Sequence, residues 1–218
     1  MKKVVLSIFA LAWALSSYAQ LTKQDVFKGD VPLTFLGLDF TQAKFIGEAT
    51  QWKDAGDITN SAMKEKYIPA WNSMFTSPSE QKNFKVAEAT NRTNVDYAIE
   101  VTDKVNEGIT NKDFFSEKMS DFPKLESAQV SAIVKKYNFQ GKKGLGLIFI
   151  VEGMKKGAEK GDPSYANVVV TFVDMGSKAV LFTKRVEGKA GGFGFRNFWA
   201  GAWKSVLKNM KSDWSSWK

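Results

Sequence analysis

The chain has 218 residues, 44% of them hydrophobic and 13% aromatic, enough apolar side chain to bury a sizeable core. It contains no cysteine and no histidine, which excludes disulfides, thiolate nucleophiles, zinc–thiolate and imidazole metal sites, and catalytic sets built on Ser-His-Asp or Cys-His. A formal charge of +8 fits either anionic partners or a lysine-coated surface that keeps the protein soluble, and any enzyme here would have to run on carboxylates, Lys, Tyr, Ser or Thr.

Lys2 and Lys3 precede an almost unbroken apolar run from Val4 to Leu15, and Ser17-Tyr18-Ala19 supplies small residues before Gln20. That pattern predicts a secretory signal peptide over residues 1–19, cleaved after Ala19. A transmembrane anchor fits less well, because the run falls short of the ~20 apolar residues that cross a bilayer. With no cysteine after the run, a lipid-anchored lipoprotein is not expected. The expected product is exported, to the periplasm, outer envelope or medium, and consists of residues 20–218 as a single α/β domain. Losing Lys2 and Lys3 lowers its charge by two, to +6. No later segment is apolar over 18 residues, so no transmembrane span is expected after cleavage.

Residues 20–31 read as a polar lead. Leu33 to Phe40 (LTFLGLDF) is a near-continuous apolar run and predicts a strand buried on both faces. From Asp57 to Phe75 the residues Ile58, Ala62, Met63, Tyr67, Ala70, Trp71 and Met74 recur at helical spacing, with Asp57 or Thr59 as cap. Pro69 is expected to kink or end that helix near Ile68. Tyr97, Ile99 and Val101 alternate with polar residues and predict a strand with one wet face. Val130, Ile133, Val134 and Tyr137 mark a second helix, with Ser127 as cap and Gly141 as the stop. Strands are then predicted at Leu145–Val151, Asn167–Val173 and Ala179–Val186, the last two joined through Asp174 to Ser177 as a hairpin. The fold class is α/β or α+β: a mixed β-sheet packed by helices, ending in a β-hairpin and a C-terminal amphipathic helix.

The most distinctive stretch runs from Gly188 to Lys218. Gly191, Gly192 and Gly194 form a glycine-rich loop interleaved with Phe193 and Phe195 and flanked by Lys189 and Arg196. Such a loop opening a helix can cradle an anion on backbone N–H groups, with Lys189 and Arg196 as cationic contacts. It can equally be a tight strand-to-helix corner with both phenylalanines in the core. The string lacks the last glycine of G-x-G-x-x-G, and no phosphate-loop motif occurs. The helix after it carries Trp199, Trp203, Val206, Leu207, Met210, Trp214 and Trp217 on one stripe, with Lys204, Lys208 and Lys211 on an adjoining face. Trp199 and Trp203 are expected in the core. Trp214 and Trp217, among Ser and Lys at the chain end, are expected to be exposed for contact with lipid, glycan or a partner protein.

Val168 to Trp199, with GGFGFRNFW at its end, and LTFLGLDFTQAKFIG at residues 33–47 resemble a family of uncharacterised exported proteins from Bacteroidetes. The resemblance implies export and brings no activity with it. A weaker likeness, in element order alone, is to the curli-secretion and Tol-type periplasmic α/β domains; the missing lipidation cysteine departs from the curli-secretion lipoproteins.

These readings converge on a cell-envelope protein that is a non-catalytic binding or assembly module with a basic, aromatic C-terminal surface. Its candidate binding residues are Lys189, Gly191, Gly192, Gly194, Arg196, Trp214 and Trp217. The expected partners are envelope proteins, anionic lipid or acidic glycan; nucleic acid is not expected. No cofactor is assigned. Oxygen-ligated Ca²⁺ or Mg²⁺ is the metal chemistry left open, with no residue assigned to it. Two alternatives stand: a carboxylate enzyme acting on envelope polymers, drawing on Asp39, Glu152, Asp174 and Glu187, and a small-anion binder at Gly191–Gly194.

Overall fold

The computed structural model describes residues 20–47, 58–110, 112–159 and 161–218; the predicted signal segment at 1–19 and the proposed cap Asp57 lie outside them. The strands are β1 (Leu33–Asp39), β2 (Lys44–Ile46), β3 (Asp96–Tyr97), β4 (Phe115–Ser116), β5 (Leu145–Lys155), β6 (Tyr165–Asp174) and β7 (Ala179–Lys189). The α-helices are α1 (Lys23–Val26), α2 (Asn60–Ala62), α3 (Ile68–Ser73), α4 (Val86–Ala89), α5 (Glu100–Glu107), α6 (Ser127–Lys135) and α7 (Phe195–Asp213).

One mixed sheet collects all seven strands. Its spine is β5, which β1 joins in parallel over Leu145 to Ile150 and β2 joins in parallel over Gly153 to Lys155. β1 and β2 therefore lie end to end along one side of β5, with β3 outside β1 and β4 outside β2, again parallel. On the other side, β5, β6 and β7 form an antiparallel meander. Asp174 closes its last turn: the carboxylate accepts from the Gly176 N–H and the Ser177 hydroxyl, both at 2.9 Å.

Period-two alternation divides the spine between two apolar layers. Leu145, Leu147, Phe149 and Val151 face the larger cluster, which holds Trp71, Trp199, Trp203 and the α7 stripe. Ile148 and Ile150 face the smaller one, with Val101 of α5 and Val130 and Val134 of α6. The sheet is thus sandwiched between α3, α4 and α7 on one face and α5 and α6 on the other, the three-layer solution for strands apolar on both sides. α7 sits close because β7 offers it Gly188, where a Cβ would collide with the Ala202 carbonyl.

The mixed sheet, the hairpin and the C-terminal amphipathic helix follow the sequence pattern, and several details do not. Pro69 ends nothing. The chain widens into a π-turn at Met63–Tyr67, where the Ile68 N–H reaches back to the Met63 carbonyl, and this slack lets the helix run on through α3. Thr59 caps the start, accepting from the Ala62 N–H at 3.1 Å. The alternation at Tyr97, Ile99 and Val101 is not a strand: β3 stops at Tyr97 and α5 begins at Glu100. Glu126, one residue before Ser127, is the N-cap of α6, with Gln129 returning to its backbone N–H at 2.8 Å. Gly141 lies in the turn before β5, well past the end of α6 at Lys135.

β1 leans on side chains where its neighbour β3 gives out. Asn72 accepts from the Leu38 N–H at 2.7 Å, Asn106 accepts from Phe40 N–H at 2.8 Å and donates to the Leu38 carbonyl at 2.8 Å, and Thr102 donates to the Leu36 carbonyl at 2.6 Å. Three buried polar side chains stand in for a missing strand, which is why they can be buried without leaving backbone groups unpaired.

Candidate functional site

The four candidate carboxylates are engaged by different groups. Asp39 is fully buried at the end of β1 and accepts from the Tyr137 hydroxyl at 2.6 Å and the Thr41 N–H at 2.7 Å. Burial, then the neighbouring Asp39, hold the Tyr137 hydroxyl well above its ordinary value, so it stays a proton donor to Asp39. Glu152 is fully buried on the neighbouring strand β5, two residues beyond the Ile150 that pairs with Asp39, Asp174 ends β6, and Glu187 is exposed on β7. Asp39 is held by Tyr137, Glu152 by Arg185 and the Leu125 N–H, and Asp174 by its own turn, while Glu187 faces solvent.

Trp214 and Trp217, expected at the surface, are buried, 4% and 5% exposed. A 3₁₀ turn, Trp214–Trp217, follows α7 directly, and its three-residue period puts both indoles on one side. There Trp214 meets Phe27 at 5.3 Å and Phe172 at 5.8 Å, and Trp217 meets Phe182 at 5.9 Å. The indole N–H groups of Trp199, Trp203, Trp214 and Trp217 have no hydrogen-bond partner among the described residues; this stripe is held by ring packing. The adjoining lysine face is partly engaged as well, Lys204 over the Phe84 ring and Lys211 paired with Glu88 at 2.8 Å.

The glycine loop does form the strand-to-helix corner, and it divides its two phenylalanines. Phe195 is buried among Tyr67, Trp71 and Trp199. Phe193 is 86% exposed; with Met119 at 49% it makes up the exposed large hydrophobics among the described residues. Gly192 and Gly194 on either side of it hold φ of +138° and +78°, a region in which other residues are strained. The loop is pinned to the helix it precedes: Gly191 donates to the Phe198 carbonyl at 3.0 Å, Phe198 to the Gly194 carbonyl at 2.8 Å, and a Cβ on Gly201 would strike the Gly191 carbonyl. Phe193 is therefore presented by a fixed backbone.

Beside it lies a cleft of about 390 Å³ lined by Lys66, Tyr67, Ala70, Arg196 and Asn197 together with the loop. Gly194 is the N-cap of α7 and brings no side chain to cap the helix. Arg196 is committed elsewhere, its two terminal nitrogens on the two Glu80 carboxylate oxygens at 3.0 and 2.8 Å, and this pairing holds the Glu80 carboxyl below its ordinary range. Its main chain is held too, by the Trp71 indole N–H at 2.9 Å.

More cations arrive from the ends of the strands. Lys155, Tyr165 and Lys189 stand in one row across β5, β6 and β7, and Lys156 lies over the Phe198 ring at 5.5 Å. Lys189 is exposed and leads into the loop. The lysines look scattered along the chain, but the fold brings Lys66, Lys155, Lys156 and Lys189 to the end of the sheet that carries Phe193. Of these, the sequence reading named Lys189; Lys66 comes from another helix, and Lys155 and Lys156 from an extension of β5 past its apolar run. Phe193, expected in the core if the loop is a tight corner, stands outside it, and its glycine neighbours are the sequence signal for that.

Among the described residues no group of three or more Asp or Glu is placed to hold a metal ion, and no helix is long and apolar enough to cross a membrane. Compared with protein-family models, curated proteins and solved structures, the chain matches none.

Proposed function

We propose that this protein is exported to the cell envelope and works there as a non-catalytic binding module, with the basic end of the sheet around Gly191–Gly194 as its contact surface. The observation that carries the reading is Phe193: a domain that buries Trp214 and Trp217 at its very end holds one phenylalanine out on a fixed glycine loop among lysines. A single exposed ring is ordinary on a protein surface; this one is set apart by its mount, a glycine loop bonded to α7 beside a cleft with Lys66 in its lining. The basic surroundings favour an anionic partner. Export is supported by the leader pattern, by the likeness to exported Bacteroidetes proteins, and by Leu21 and Val26 already packing on the core just after the expected cleavage point.

Two measurements test this. The mass of the N-terminal peptide of the exported chain should be that of a chain beginning at Gln20; one still beginning at Met1 would refute cleavage after Ala19. Melting temperature should rise with anionic lipid or acidic polysaccharide at low salt and lose that rise at high salt, because a ligand of the folded state stabilises it and salt screens exposed charges. Paired Lys156→Glu and Lys189→Glu substitutions should abolish the shift. A shift that survives both substitutions would move the surface elsewhere.

A further inference from the structure

Resting on that reading, we propose that Phe193 is a membrane anchor: the basic end of the sheet docks on an anionic bilayer and the glycine loop puts the ring into its interface. The loop gives the ring the required exposure and a pinned mount, since Gly191 and Gly194 are both bonded to Phe198 of α7. A pinned loop loses little conformational freedom on insertion.

The charges around the ring complement an anionic surface. Lys66 lines the cleft against Phe193, and that cleft has no Asp or Glu in its lining. Lys156 and the Lys155–Lys189 row flank the same end of the sheet. Arg196 is answered by Glu80, so the attraction is assigned to Lys66 in the cleft and to the exposed Lys189 at the loop. Lysines within a Debye length of an anionic leaflet each add to attraction, and an aromatic ring beside them enters the headgroup region. The Phe193 ring has no polar atom and is 86% exposed, which suits the boundary between headgroups and acyl chains. Single-signal anchors of this size bind reversibly.

The test is sedimentation of the exported, processed chain with phosphatidylcholine vesicles, with and without phosphatidylglycerol, at low and high salt. The chain should co-sediment with the phosphatidylglycerol vesicles at low salt. Phe193→Ser should lower the partition coefficient by about tenfold with no change in melting temperature, and Phe193→Leu should restore most of it. If Phe193→Ser binds as tightly as the parent, the ring is no anchor and the proposal fails. Salt-sensitive binding to an acidic polysaccharide without vesicle binding would overturn it while leaving the binding-module reading intact. Binding to neither would overturn both.

Discussion

Arg185, on the outer strand of the meander, grips both oxygens of the fully buried Glu152, Nε to Oε2 at 2.6 Å and Nη2 to Oε1 at 2.7 Å. The pair fastens a segment of chain as well. The Leu125 N–H donates to Glu152 at 2.6 Å, and the Leu125 carbonyl accepts from Arg185 at 2.8 Å. Glu152 stands at the β-bulge between Val151 and Gly153, near the joint where β5 changes partner from β1 to β2. Glu152 is fully buried while the Arg185 side chain is 34% exposed, so desolvation falls mainly on the carboxylate, and removing its cationic partner is costly.

Arg185→Ala should therefore destabilise the fold by about 3–5 kcal/mol, since it leaves a buried carboxylate with a single backbone donor. Urea unfolding measures this. Pairing the change with Glu152→Leu should recover most of the loss; if the double variant is no better than the single, the cost lies in the arginine's packing and not in the stranded charge.

Trp203 has 0% exposure and sits between Phe40 and Trp71, ring centres at 5.8 and 5.9 Å. Trp203→Ala should cost about 3–5 kcal/mol, the usual range for emptying a large aromatic site that cannot collapse. An unchanged melting temperature would contradict the packing of α7 against the sheet.

Asp103 accepts from the Asn72 amide at 2.7 Å, yet burial, aided by Glu107 and Glu100, raises its pKa. A raised carboxyl gives its full contribution to stability below its unfolded value, near 3.8, and loses it as pH climbs through the raised folded value. Asp103→Asn keeps the acceptor and removes the charge. The variant should melt higher than the parent at neutral pH, with the gap closing as the solution is acidified below 3.8. A constant gap at all pH would place the cause outside this titration.

Arg196 gives the converse case. Glu80→Gln should release its guanidinium to the cleft and tighten binding to anionic vesicles by about fivefold, the value of one surface charge near such a membrane. Loss of a half-exposed ion pair should cost no more than about 1 kcal/mol of stability. Titration of the variant beside the parent decides it: unchanged binding would mean that Arg196 lies outside the contact surface.

The architecture was legible wherever burial writes itself into composition. The runs at Leu33, Leu145 and Asn167 became strands because residues buried on both faces must all be apolar, and the Asp174–Ser177 link could hardly be anything but a turn. Ambiguity arose where two periods share residues. Val101 and Val105 serve a helix packed on the smaller cluster, while Tyr97, Ile99 and Val101 read equally well as alternation. Trp214 and Trp217 were misread because their Ser and Lys neighbours imply solvent, and a 3₁₀ turn exposes those neighbours while turning both indoles inward. The site was the least legible part. Lys66 and Phe193 are far apart in sequence, and their meeting depends on how α7 docks, a property of packing with no local signature.

Hydrogen–deuterium exchange of the exported chain, with and without phosphatidylglycerol vesicles, tests the central claim most directly. Docking through the basic end predicts slowed exchange over the Gly191–Asn197 backbone and the end of β5, with the Trp214–Trp217 turn unchanged. Slowed exchange at that C-terminal turn, with the glycine loop unaffected, would contradict it.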